Sequence, residues 1–295
     1  MSPVVALIKT LRPHQWVKNL FVLLPLVFSR HLADASYLVR GLAATAVFCI
    51  LSGAVYTFND VLDVEADRVH PKKKFRPIAA GALSERAAVI ASVVLATGAL
   101  GASLVLSWKL TVVAALYLAQ NLAYSLKLKH VAFVDVSLIS AGFLLRVLAG
   151  AFALGVPASH WLLALTAMLA MFLALGKRAH ELSWAQRAGE ANVGQTRAAL
   201  AGYSLAGVRV LLTALGILTP IAYLMYTLDS HTVALFHTHN LAWTAPFAVV
   251  GLTRFLWLAL WRPRDDSPTE AMLRDWPFLA NIAAWAVAVI AIVYH

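Results

Sequence analysis

The sequence predicts an all-α, polytopic membrane protein built as a bundle of nine transmembrane helices. Three observations carry that expectation. Hydrophobic residues make up 61% of the 295 and charged ones only 13%, with a mean hydropathy of +0.76, whereas a soluble domain carries roughly 25% charged residues. Apolar runs close to the ~20 residues needed to cross a bilayer recur along the whole chain. The basic residues are lopsided: with the N-terminus inside, eighteen of the 24 Lys and Arg fall on inner segments, and only Arg30, Arg40 and Lys109 fall on outer ones. That bias orients the N-terminus to the cytoplasm. The net charge of +10 is therefore mostly topology plus anion binding. Its dispersal over short inner loops argues against nucleic acid as a partner and leaves the bilayer as the surrounding medium.

The spans follow in order. The first, 13–29, holds the apolar run Leu20–Phe28 behind Lys9, Arg12 and Lys18; no small-x-small cleavage pattern follows and Pro25 interrupts it, so it reads as a retained span. The second, 37–58, carries the lone cysteine, Cys49, which excludes a disulfide framework and a thiolate metal site. An inner loop, 60–84, then leads to spans at 86–106 and 109–126. Tyr124-Ser125-Leu126-Lys127-Leu128-Lys129 ends the fourth span, and Asp135 opens the fifth, 131–155. The sixth, 160–177, runs into a second inner loop, Arg178 to Arg197, with His180, Glu181, Arg187 and Glu190. Spans at 207–227, 241–261 and 276–294 complete the chain, joined by outer connectors such as Asp229–Asn240 that are nearly free of charge. One integral membrane domain, 1–295, multi-pass in the cell inner membrane, is expected. A homo-oligomer stays open.

Chemistry concentrates where the second span ends. Asp60, Asp63 and Asp67 stand at i, i+3 and i+7, one face of a helix. Three carboxylates on one stripe repel each other unless a cation lies among them, and an all-oxygen donor set without Cys or His points to Mg²⁺ beside a substrate phosphate. The plainer alternative is a solvated acidic helix end. Arg146 lies deep in the fifth span, where an unpaired guanidinium costs about 2.5–3.5 kcal/mol even on the gentler scale. It needs an anionic partner or a wet cavity, or else a salt bridge to a neighbouring helix. Asp135 lies eleven positions earlier, near three helical turns, so it shares that side; Gly142 and Gly150 near the same stripe allow a ligand or helix to approach closely. Lys127 and Lys129 lie at the same mouth as Arg146, and Lys18 with Asn19, Lys74 with Arg76, and Lys177 with Arg178 are three further cationic corners at inner helix ends. Each alone is a topology anchor; together with a carboxylate cluster they suit two phosphorylated molecules. His70 and His180 have no second His or Cys at ligand spacing, so zinc is not expected.

Four segments together resemble the UbiA-type membrane prenyltransferase superfamily, whose members have nine spans. They are Leu11-Arg12-Pro13-x-Gln15-Trp16-x-Lys18-Asn19; Asn59-Asp60-x-x-Asp63-x-x-x-Asp67 continued through His70-Pro71 and Arg76-Pro77; Tyr124-Ser125 through Gly142-Phe143-x-x-Arg146-x-x-Ala149-Gly150; and Gly176-Lys177-Arg178 with Glu181-Leu182. The closer resemblance is to the branch of polyprenyl-phosphate (decaprenyl-phosphate) phosphoribosyltransferases. One departure from the wider superfamily matters: Asp135 is followed four positions later by Ile139, so the second Asp-x-x-x-Asp motif for an allylic diphosphate is absent. The resemblance implies a UbiA-like bundle with a cytoplasm-facing site. It implies Mg²⁺-dependent transfer of 5-phosphoribosyl from phosphoribosyl pyrophosphate to a polyprenyl phosphate. On that basis Asp60, Asp63 and Asp67 hold Mg²⁺–diphosphate, with Asn59 orienting them. Lys74, Arg76, Lys127 and Arg146 meet donor phosphates, Lys18, Lys177 and Arg178 serve either substrate, and Tyr124 joins the substrate-binding set. Asp135 binds ribose, completes a metal shell or pairs with a nearby Lys. The competing expectations are prenyl transfer to an aromatic or glyceryl-phosphate acceptor, and transport of an anionic or lipid-linked substrate.

Overall fold

The computed structural model describes residues 2–187, 198–260 and 268–294. The inner-segment residues Glu190, Arg197, Arg262 and Arg264 lie outside them. Every regular element among the described residues is helical. These residues cluster into two compact units, one within Met1–Leu128 and Gly142–Ala158, the other within Lys129–Ala141 and Ser159–His295. Among the described residues, seven helices are long and apolar enough to cross a membrane, as the hydropathy pattern predicts for the second, third, fifth and later spans.

The first unit holds α1 (Pro3–Thr10), α2 (Leu24–Phe28), α3 (Ala35–Leu62), α4 (Val64–Val69), α5 (Glu85–Leu106), α6 (Trp108–Leu126) and most of α7 (Val134–Leu154). Side-chain oxygens start the long helices as N-caps do: Asp34 accepts from the Ser36 amide at 2.9 Å and Ser84 from the Ala87 amide at 3.3 Å. Helix α3 is the axis of this unit, packing along α5 and also against α6 and α1. Its core joins Phe48 and Leu51 of α3 to Leu110 and Tyr117 of α6, with Ala149 and Ala153 of α7. The fourth expected span, α6, is a 19-residue helix, long enough to cross, but Gln120, Asn121, Tyr124 and Ser125 make its C-terminal end polar.

The first expected span takes another form. After Arg12, which adopts a left-handed φ of 52°, an 11-residue 3₁₀ run, Pro13–Leu23, leads into the five-residue α2. Runs of 3₁₀ structure longer than about 3–4 residues are uncommon, so packing must hold this one. It lies against α3, where a Cβ added to Gly41 would come to 3.3 Å from a Leu23 side-chain carbon. It also meets α7, where a Cβ on Gly150 would stand 1.9 Å from the Val22 carbonyl oxygen. The close approach expected at Gly150 is therefore to backbone.

In the second unit, α8 (His160–Arg187) packs along α9 (Leu205–Leu228) and α11 (Ala245–Leu260); α10 (Ser230–Phe236) follows α9, α12 (Pro268–Met272) touches α8 and α11, and α13 (Trp276–Tyr294) lies on α11. Phe172, Leu175, Leu212 and Phe255 fill its core. Gly176 makes room for the Phe255 ring, which a Cβ would approach to 2.4 Å. Asp275 accepts from the Phe278 amide at 3.0 Å and from two Arg254 nitrogens at 2.9–3.0 Å, so it both caps α13 and ties it to α11.

Substituting Gly150→Ala drives a methyl group into a main-chain oxygen. Overpacking of this kind costs about 1–3 kcal/mol, and thermal unfolding of purified protein in lipid nanodiscs should show a midpoint several degrees below wild type.

Candidate active site

Three polar clusters carry the residues singled out in the sequence. In the first, α3 stops at Leu62 and Asp63 joins it to α4, yet the amides keep helical pairing across the join. Asp63 N donates to Asn59 O at 3.0 Å, and Asp67 N to Asp63 O at 2.8 Å. Asp60 and Asp67, seven positions apart, consequently stay on one side. Both are almost fully buried (3% and 2% exposed). Both accept from the same nitrogen, Arg76 Nη1, at 3.0 and 2.7 Å, and Asp60 also accepts from Arg12 Nη2. Asp63 accepts from Asn59 Nδ2 at 3.0 Å. Two buried carboxylates at one point are tolerable only because guanidinium charge lies between them.

Local loop chemistry delivers Arg76. His70 Nδ1 accepts from the Lys72 and Lys73 amides at 3.1 and 3.2 Å, and the Pro77 carbonyl accepts from Ala82 and Leu83 at 2.8 and 3.2 Å. Partial burial, then the charge of Lys73, hold the His70 imidazole below its ordinary pKa. It therefore stays an acceptor at neutral pH. Arg12 reaches Asp60 from the left-handed turn before the 3₁₀ run, its guanidinium 5.1 Å from the Tyr56 ring centroid. A non-glycine residue held at positive φ costs on the order of 1–3 kcal/mol, and the ion pair with Asp60 is what the turn secures. Lys74 is exposed, its Nζ 5.3 Å from the Phe75 ring centroid. Among the described residues no three His, Cys, Asp or Glu side chains are gathered to hold a metal ion; Arg76 Nη1 occupies the point between the Asp60 and Asp67 oxygens.

The second cluster surrounds Arg146, 5% exposed. Nε donates to Asn19 Oδ1 at 2.8 Å, Nη1 to the Gly142 carbonyl at 2.9 Å and Nη2 to Tyr117 Oη at 2.8 Å. The rings of Tyr117 and Phe143 lie 4.8 and 5.4 Å from its carbon centre. The salt bridge weighed for Arg146 is replaced by uncharged partners among the described residues. The third cluster is in the second unit. Asp135 is fully buried, accepts from Tyr203 Oη at 2.6 Å and pairs with Arg178 Nε at 3.2 Å; Arg178 also pairs with Glu181. The Phe133 amide donates to Tyr203 Oη at 2.7 Å, and Phe133 has φ 63°. Burial first, and then the hydrogen bond to Asp135, raise the Tyr203 pKa, which keeps its hydroxyl a donor. Of the options for Asp135, pairing with a cation is the one seen, with Arg178 in place of a Lys. Arg178 is drawn in among carboxylates.

The remaining residues lie around these clusters. Lys18 is half-buried on the 3₁₀ run, Lys127 is exposed just past α6, and Lys177 is half-buried beside Arg178. Tyr124, half-buried, lies two turns along α6 from Tyr117 and on the same face.

Residues 20–292 match the model of the UbiA prenyltransferase family. The chain belongs to that family. It is 45% identical over 193 residues to the decaprenyl-phosphate phosphoribosyltransferase of Mycolicibacterium smegmatis, covering 62% of this chain and 59% of that protein. To the decaprenyl-phosphate phosphoribosyltransferase of Corynebacterium glutamicum it is 37% identical over 230 residues, 76% of this chain and 67% of that protein. The chain thus spans about three fifths of the length of the first of these relatives. Its fold is similar to the solved structure of a UbiA homolog from Archaeoglobus fulgidus bound to DMAPP and Mg²⁺, with a TM-score of 0.70 and 16% identity over 97% of this chain and 98% of that one. This UbiA-family chain is a multi-pass membrane protein.

Sequence inspection passed over several members of these clusters. Arg12 and Asn19 stood in a quoted motif without a role, because nothing in linear order shows which carboxylate or guanidinium they meet. Tyr117 has one signal, its seven-residue spacing from Tyr124. Tyr203 has none: its partners lie 68 and 70 positions away.

Substituting Tyr203→Phe removes a donor from buried Asp135 and an acceptor from Phe133. Leaving such groups unsatisfied costs about 1–3 kcal/mol, so unfolding in nanodiscs should shift to lower temperature, with Arg254→Lys as a comparison in the same unit away from this network.

Proposed function

We propose that this UbiA-family protein transfers the 5-phosphoribosyl group of phosphoribosyl pyrophosphate to a polyprenyl (decaprenyl-like) phosphate, releasing diphosphate. The observation that carries the proposal is the pair of buried carboxylates, Asp60 and Asp67, meeting one guanidinium nitrogen at the end of a membrane-spanning helix. The relatives named decaprenyl-phosphate phosphoribosyltransferase support it. So does the absence of a second carboxylate four positions after Asp135.

The donor set of Asp60, Asp63 and Asp67 is all oxygen and fits a hard divalent cation. Arg76 Nη1, within 3.0 Å of both Asp60 and Asp67, marks where positive charge is already accommodated. Mg²⁺ held there would neutralise charge on the departing diphosphate. Asp63, which accepts from Asn59 Nδ2 at 3.0 Å, would turn from that bond to complete the set, with Asn59 orienting it. Arg12 and Arg76, released from the carboxylates, would turn to phosphate oxygens, which planar guanidinium suits. Lys74 and Lys127, both exposed, would meet the soluble donor, while Lys18 and Tyr124, and separately Lys177 in the second unit, would serve either substrate.

The bond broken is C1–O to diphosphate, whose oxygen leaves with the electron pair. The bond formed is C1–O to the acceptor phosphate. That nucleophile is already an anion, so the chain needs to position it rather than deprotonate it. A cytosolic donor agrees with a site on the cytoplasmic side of the inner membrane and a cytoplasmic N-terminus, the orientation favoured by the Lys and Arg distribution.

Purified protein with Mg²⁺, labelled phosphoribosyl pyrophosphate and decaprenyl phosphate should yield lipid-extractable label. Asp60→Asn and Asp63→Asn should reduce the rate by at least about a hundredfold, roughly 2.7 kcal/mol in the barrier, and chelation should abolish it. Turnover only with an isoprenoid diphosphate and an aromatic acid would overturn the proposal in favour of prenyl transfer.

A further inference from the structure

Beside the carboxylate cluster, α1 packs into a small core of its own. Ala6 is fully buried and, with Leu7, joins Val61 of α3, Val64 of α4, Ile78 and Leu83 of the following loop, and Ala88 of α5. Thr10, one turn on from Ala6, is buried too, and its hydroxyl donates to the Ala6 carbonyl at 2.8 Å. Both arginines that compensate Asp60 are attached to this core. Arg12 follows α1 by two residues, and Arg76 precedes Ile78 by two. The Leu83 amide donates to the intervening Pro77 carbonyl at 3.2 Å.

The opposite face of α1 is apolar and uncovered among the described residues. Val4 and Ile8, also one turn apart, are 66% and 50% exposed, and Val5 beside them is 44% exposed. Helices shorter than about 12–15 residues are marginal in water, so an eight-residue helix with an apolar stripe needs support on that side. The neighbouring chain points to what supplies it. Residues 2–20 hold three cations, Lys9, Arg12 and Lys18, and no Asp or Glu. Trp16, a residue type that gathers at membrane–water boundaries, is half-buried six positions past α1, its indole nitrogen donating to the Leu11 carbonyl at 3.3 Å. Val17 and Leu20 on the 3₁₀ run are exposed like the α1 stripe, and that run leads through α2 to the membrane-spanning α3. An apolar face, basic flanks and a boundary tryptophan just before a span suit the headgroup–acyl boundary of a bilayer.

We propose that α1 docks on the lipid surface and braces the loop that carries Arg76. Val4, Val5 and Ile8 enter the headgroup–acyl boundary of the adjoining leaflet, and Lys9 meets lipid phosphate. The docked helix holds Ala6 and Leu7 against Ile78 and Leu83, so the bilayer itself keeps the arginine loop over Asp60 and Asp67. This concerns the placement of the arginines and stands whatever group the protein transfers.

The test uses the full chain in phospholipid nanodiscs, with Cys49→Ala removing the lone thiol and a nitroxide placed in turn at Val4→Cys and Ile8→Cys. Both labels should be more accessible to oxygen than to a water-soluble nickel chelate, as for an apolar face sunk about 5–10 Å into the boundary. A label at Glu65→Cys, whose side chain is 80% exposed on α4, should show the reverse. Labels at positions 4 and 8 that favour the nickel chelate overturn the docking. Labels shielded from both reagents, as a protein partner or a second copy of the chain would leave them, overturn it equally. Val4→Gln combined with Ile8→Gln then tests the brace. Gln is a better helix former than Val or Ile, and both side chains point away from the small core, so α1 itself is not weakened. Hydrogen exchange at the Ala82 and Leu83 amides, both bonded to the Pro77 carbonyl, should quicken at least about tenfold as the loop opens locally. Exchange in the middle of α6, outside this core, should keep its wild-type rate. Wild-type exchange at Ala82 and Leu83 in the double variant overturns the brace.

Discussion

Two buried carboxylates brought to one guanidinium nitrogen set the terms for much of the first unit. Asp60 and Asp67 are nearly inaccessible, and like charges in a low-dielectric setting demand compensation. Arg76 and Arg12 provide it from opposite directions in sequence, and the chain is shaped to bring them in. The loop after α4 is folded by His70 and closed at Pro77 so that Arg76 arrives. The strained turn at Arg12 precedes the 3₁₀ run, which approaches closely at glycines 41 and 150. Charge that a cation and a phosphate would replace is thus held in reserve by arginines that suit phosphate once released.

The second constraint is burial of Arg146 among neutral groups. In a membrane-spanning unit such a charge is costly and usually functional. Asn19, Tyr117 and Gly142 solvate it with dipoles, which satisfies its hydrogen bonds while leaving its charge uncompensated. The Asp135 cluster contrasts with it. There, Arg178 is matched by Asp135 and Glu181, and Tyr203 completes the network. The matched guanidinium ties a carboxylate pair into the fold, whereas the Arg146 guanidinium is held by neutral groups alone among the partners described.

Much of this was legible in the chain because it rests on local periodicity. Hydropathy marks the long helices, and the i, i+3, i+7 spacing places Asp60 and Asp67 on one side even across the join at Asp63. The segment 13–29 misled because its apolar content reads as a helix, while Pro13, Pro25 and the polar Lys18 and Asn19 favour a tighter, packing-dependent run. Long-range pairings were out of reach for a different reason. Which guanidinium meets which carboxylate depends on helix packing, so Arg12 with Asp60 and Tyr203 with Asp135, 48 and 68 positions apart, leave no pattern in linear order. Arg178 was likewise indistinguishable from a phosphate contact until its two carboxylate partners were seen.

The central claim is that a divalent cation replaces Arg76 between Asp60 and Asp67 and carries diphosphate with it. Pulsed electron–nuclear double resonance on protein loaded with Mn²⁺ and inorganic pyrophosphate measures this directly. The account predicts ³¹P coupling from pyrophosphate bound to the protein-held Mn²⁺, and loss of that signal in Asp67→Asn. An unchanged ³¹P signal in both Asp60→Asn and Asp67→Asn would contradict it, because the cation would then be held elsewhere.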